Sequence, residues 1–196
     1  MTEVTPARRD LLRRGFVLEW ATLTWNIVGV VVLAILALSS ASVALAGFGL
    51  DSLIEIGAST VVIWELRGTG LRRQKAALRL IGVAFLCLAG YLLVQSGIAL
   101  STGHRPDGSI GGIIWTAATA AVMFVLAGLK SRTGRALGNP VLQTEGRVTL
   151  IDGLLACAVL VGVLLNTVLG WWWADSAATL VVVYYAGAEA VAIFRS

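Results

Sequence analysis

Apolar residues along this chain fall into six long blocks, near 16–38, 41–66, 76–100, 110–130, 143–168 and 171–194, separated by short polar breaks. Crossing about 30 Å of hydrocarbon takes roughly 20 residues of helix, so each block predicts one membrane-spanning helix. The breaks carry the turn residues expected of them: Gly68-Thr69-Gly70, the segment 103–108 around Pro106, Gly138-Asn139-Pro140, and Gly170. The expected fold is therefore all-α, a six-transmembrane-helix bundle over 16–196 preceded by a basic segment at 1–15, with no extramembrane module. The first block is expected to be a retained helix. Its apolar run of about 23 residues exceeds the 7–15 of a signal-peptide core, and it contains Glu19 and Asn26.

Lipid-facing positions are apolar as well, so the polar residues inside the blocks are the informative ones. Asp51 and Glu55 sit in the middle of the second block, with no other charge until Glu65 at its end. A charged carboxylate at a bilayer centre costs roughly 2.5–3.5 kcal/mol, so two of them require a partner. Spacing i, i+4 puts both on one stripe of the helix, within reach of one ion. Asp152 in the fifth block and Asn26 in the first lie at similar depth. Three carboxylates and an amide, without imidazole or thiolate, form a hard-oxygen donor set for a divalent ion such as Mn²⁺, Fe²⁺ or Zn²⁺. Thr149, one turn from Asp152, offers a further weak oxygen. The competing reading is structural, with interhelical hydrogen bonds satisfying the acids. Three acids at one depth with no Lys or Arg expected beside them favour an ion or proton site. For Asn26 a plain helix-packing hydrogen bond stays open.

Glu65 and Glu145 fall on the same faces as Asp51 and Asp152, at the other ends of their helices. They are either a cytoplasmic acidic funnel or interfacial salt bridges to Arg67 and Arg147. His104 is a lone loop histidine, Asp175 an acid at a helix N-terminus, and Glu189 an interfacial residue. Cys87 and Cys157 show no metal or disulfide spacing and are expected to be packing residues.

Composition agrees with the block pattern: 58% of the 196 residues are hydrophobic and 13% charged, with mean hydropathy +0.87. Soluble domains carry about 25% charged residues. Of the fifteen basic residues, all but Arg105 flank the blocks on one side, Lys130 counted among them between the fourth and fifth. Under the positive-inside rule both termini are cytoplasmic and the His104–Asp107 loop is external. The basic pI marks topology and excludes nucleic-acid binding, since no base-stacking aromatics are interleaved with the cations. Small residues crowd the second block (Gly47, Gly49, Gly57) and the fifth (Gly153, Ala156, Gly162), which predicts that these two helices pack together. Trp171, Trp172 and Trp173 are expected at the external headgroup level.

The segment 42–55, SVALAGFGLDSLIE, resembles the second transmembrane helix of cation diffusion facilitators, whose pattern "SLALLADALDSLSD" ends in an Asp-xxx-Asp metal motif. Asp51 and Glu55 match that pair. Asn26 matches an asparagine of the family's first helix, and Gly170-Trp-Trp-Trp-Ala-Asp175 resembles the family's "WADP" at the start of its sixth. The fifth-helix motif is His-xxx-Asp; Asp152 matches the Asp, while Val148 stands at the His position. The resemblance spans residues 1–196, and the expected protein is the family's transmembrane domain alone, lacking its cytoplasmic metal-binding domain. It implies a transporter of the cell (inner) membrane, usually a homodimer, that exports a divalent metal, commonly zinc, in exchange for protons. Oxygen-only ligation shifts that expectation toward manganese or iron(II). The alternative is a non-transporting metal-binding or accessory subunit with the same fold. A phosphatidyl-transferring enzyme is disfavoured, because the Asp-xx-Asp-Gly…Gly-xxx-Asp-xxx-Asp run of those enzymes is missing.

Overall fold

The computed structural model describes residues 6–40, 43–67, 71–103 and 109–195. Among the described residues there is no strand, and six helices account for nearly all of them: α1 (Pro6–Ser40), α2 (Val43–Leu66), α3 (Leu71–Thr102), α4 (Ile110–Leu137), α5 (Pro140–Leu169) and α6 (Ala174–Arg195). Helices α1 to α5 contain stretches long and apolar enough to cross a membrane. His104, Arg105 and Asp107 lie outside the described residues, as do the side chains of Asp175 and Glu189.

Several helices run past their apolar blocks, because a helix ends where its backbone is broken and not where polarity begins. Pro6 opens α1 with a φ already suited to the first turn, and the arginine-rich stretch 8–14 continues into the apolar part without interruption. At the other end of the bundle, α4 continues to Leu137. Gly138 stops it in the left-handed region (φ 62°), where its N–H reaches the carbonyl of Arg135 and the N–H of Asn139 that of Gly134. Asn139 then caps α5: its side chain accepts from the N–H groups of Val141 and Leu142, and Pro140 takes the first helical position. Lys130 thus lies inside α4, about two turns from its end. The sequence reading that placed it in a cytoplasmic connection is corrected by this continuation.

Polarity is inverted relative to a water-soluble protein. Leu38 is 86% exposed, Val168 73% and Ile110 72%, whereas Glu19, Lys130, Glu145 and Thr149 are all at 0%. Apolar side chains cover much of the outside, and the largely apolar core also encloses a set of ionisable groups, the arrangement of a multi-pass membrane protein.

Helix α5 is the hub, packing most extensively along α4 and also touching α2, α3 and α6; α1 lies along α2 and α4, and α3 along α6. The predicted α2–α5 contact exists, and Ser59 of the small-residue face takes part in it, but the glycines in close contact lie against other helices. Gly146 of α5 backs onto Ser131 and Ala127 of α4, and Gly153 onto Met123 and Phe124. In α2, Gly47 faces Gln95 of α3 and Gly49 faces Leu33 of α1. Close approach therefore serves α4–α5, while α2 meets α5 through polar groups. A Cβ on Gly146 would meet the Ser131 hydroxyl and lie 2.9 Å from its backbone nitrogen. Gly146→Val is accordingly expected to force α4 and α5 apart at a cost of about 1–3 kcal/mol or more, seen as a lowered thermal midpoint in detergent. An unchanged midpoint would contradict this packing.

Candidate cation site

The inner faces of α2 and α5 form an antiparallel polar ladder. On α2 the rungs are Asp51, Glu55 and Ser59, spaced four residues apart; on α5 they are Asp152, Thr149 and Glu145. Both spacings keep the side chains on one stripe. At the first rung the carboxyl groups of Asp51 and Asp152 meet within hydrogen-bonding range. At the second, the Thr149 hydroxyl donates to Glu55 Oε1 at 3.0 Å. At the third, the Ser59 hydroxyl donates to Glu145 Oε1 at 3.4 Å. Beyond the ladder, Asn139 Nδ2 donates to Glu65 Oε2 at 3.0 Å. One residue thus caps α5 and holds the buried end of α2.

Asp51 and Asp152 are almost fully buried, at 2% and 3% exposure. Neither oxygen of Asp152 has a hydrogen-bond partner, nor does Oδ2 of Asp51. Two ionised carboxylates hold no proton to donate, so a pair this close requires a shared proton or a cation between them. Tyr91 of α3 lies within electrostatic range of Asp51. Among the described residues no three carboxyl, imidazole or thiol groups are gathered into a ready-made metal cage. The structure brings together Asp51 and Asp152, and it holds Glu55 on Thr149 one turn away.

Asn26 is buried on α1, but its Nδ2 donates to the Thr22 carbonyl of its own helix at 3.1 Å. The ionisable group that α1 contributes to the interior is Glu19. Lys130 Nζ lies 3.1 Å from Glu19 Oε2, 3.2 Å from Glu145 Oε1 and 3.1 Å from Thr149 Oγ1. The expectation of acids with no cation nearby is therefore corrected: an ammonium stands one hydroxyl away from Glu55. Neither reading of Glu145 survives intact, since its partner is Lys130, and Arg147 instead donates to Thr144 at 3.1 Å. Nor is Glu65 paired with Arg67; its hydrogen bond comes from Asn139.

A sequence signal for Glu19 did exist. Glu19, Thr22 and Asn26 share one helical face, and all three are buried. Val148, at the position where the family resemblance expects histidine, is buried in the apolar core. The stacked Trp171 and Trp173 rings, 5.6 Å apart and half-exposed, sit in the turn before α6.

Comparison with protein-family models and with curated proteins returns no match.

Proposed function

We propose that the chain is a divalent-cation transporter of the cation diffusion facilitator type, exchanging metal for protons at Asp51, Asp152 and Glu55. The observation that carries this reading is the Asp51–Asp152 pair, two buried carboxyl groups from facing helices with three oxygens lacking any hydrogen-bond partner. Hard oxygens without imidazole or thiolate suit manganese, iron(II) or zinc. Glu55 would complete the set by releasing Thr149. Protons and metal then compete for the same oxygens: an arriving M²⁺ displaces protons, and its departure lets them return. Asn26, satisfied within its own helix, is at most an outer contributor.

In this proposal α6 is a sixth span and both termini are cytoplasmic, in the inner membrane, as the arginine-rich helix ends suggest. Homodimerisation rests on the family resemblance alone. Metal-dependent flux into proteoliposomes separates a transporter from a subunit that only binds: flux with counter-movement of protons supports the proposal, and binding without flux assigns the chain to the second class.

Metal preference is tested at Val148, one turn from Asp152. An imidazole there would add a nitrogen ligand, which favours zinc. Val148→His is expected to raise the zinc-to-manganese affinity ratio by roughly tenfold, the equivalent of about 1.4 kcal/mol. Competition binding on purified protein measures it, and an unchanged ratio would mean that position 148 does not face the ion.

A further inference from the structure

Lys130 uses all three of its N–H donors, on Glu19 of α1 and on Glu145 and Thr149 of α5. Each carboxylate gives it one oxygen. Glu19 Oε1 and Glu145 Oε2 remain buried without a partner. Without the ammonium, one oxygen each of Glu19 and Glu145 and the Thr149 hydroxyl would face one fully buried position, with the second oxygen of each carboxylate unpartnered and available for bidentate ligation. That is the donor count and hardness of a divalent-cation site. We propose that Lys130 is a tethered, resident cation filling a second acidic site, and that it limits the chain to one bound divalent ion where its acids would otherwise take two. The count of one rests on the Asp51–Asp152 reading above; the filled second site does not.

Charge supports the assignment. Glu19, Asp51, Glu55, Glu145 and Asp152 are all buried, and Lys130 is the buried cation facing this group among the described residues. A single ammonium balances one of five acids, so the others must hold protons or further cations. The ammonium's position decides where that charge goes. Held by Glu19 and Glu145, and separated from Glu55 by the Thr149 hydroxyl, the ammonium closes the Glu19–Glu145 position and leaves Asp51–Asp152 as the open one. At about 10 Å along α5 between Glu145 and Asp152, the two positions are too far apart to share an ion.

The test counts Mn²⁺ ions per chain by equilibrium dialysis of the purified full-length protein in detergent, with manganese as the only metal. Wild type is expected to bind one ion, and Lys130→Met two. The triple variant Lys130→Met/Glu19→Gln/Glu145→Gln is expected to return to one, which ties the additional ion to these carboxylates. Lys130→Gln, which keeps a donor for Thr149, runs in parallel so that misfolding of the methionine variant does not decide the question. One ion in wild type and still one in folded Lys130→Met or Lys130→Gln would overturn the inference while leaving the Asp51–Asp152 site standing. No ion in wild type but one in the lysine variants would do the reverse. No ion in either would overturn both.

Discussion

Replacing Asp152 by asparagine is expected to weaken divalent-ion binding by at least about 100-fold and to abolish metal-driven proton movement, without loss of fold. The scale exceeds the 10–100-fold typical of a group that only supports a ligand, because here the ligand itself is neutralised. Most buried polar residues cannot be replaced so freely, since each has a partner that the substitution strands. No N–H or O–H donor reaches either buried oxygen of Asp152, so in the metal-free protein the only contact at stake is the proton shared with Asp51, and the asparagine amide can donate to Asp51 in its place. Metal-free stability should be unchanged or higher. Added Mn²⁺ should stabilise wild type by about 2.7 kcal/mol at one hundred times Kd, raising its unfolding midpoint, and leave the variant unmoved. A purely structural aspartate would give the opposite pattern, a lower midpoint without metal and an intact response to it.

The second large effect is at Lys130. In chelator, Lys130→Met strands Glu19 and Glu145 in a site from which water is excluded, and breaking a buried ion pair from one side costs about 3–5 kcal/mol. Methionine cannot replace the ion pairs at 3.1 and 3.2 Å or the hydrogen bond to Thr149. Neutralising the partners as well, with Glu19→Gln and Glu145→Gln, should recover most of the stability. Chemical unfolding in mixed micelles, followed by circular dichroism, gives both numbers. A destabilisation below about 1 kcal/mol for Lys130→Met, within the range of exposed salt bridges, would mean that the ammonium is not held as described.

How far the sequence could be read follows from what each signal measures. Turn chemistry located the helix ends well where a breaker was strong: Gly138, Asn139 and Pro140 stop one helix, cap the next and start it. Hydropathy located them poorly, because it marks where polarity begins. For that reason Lys130, at the polar edge of the fourth block, read as a topology signal, whereas the α4 backbone continues for another two turns and carries it inside. Periodicity put Asp51 and Glu55 on one face and Asp152 at matching depth, and the structure sets Asp51 against Asp152. It could not say that Glu55 turns to Thr149, since a helical wheel gives a direction and no partner. The same limit applies to the glycines. A small-residue face reports that some helix comes close, and α5 spends Gly146 and Gly153 on α4, not on α2. Asn26 shows it again: it is buried, as its depth suggested, but bonded within its own helix.

Reconstituted transport tests the central claim most directly. Purified protein in proteoliposomes with a trapped pH indicator is given an inward manganese gradient, beside matched vesicles carrying Asp152→Asn. The account requires manganese entry accompanied by proton movement in the opposite direction for wild type, and neither for the variant. Manganese-independent proton movement, or equal flux through both proteins, would contradict it.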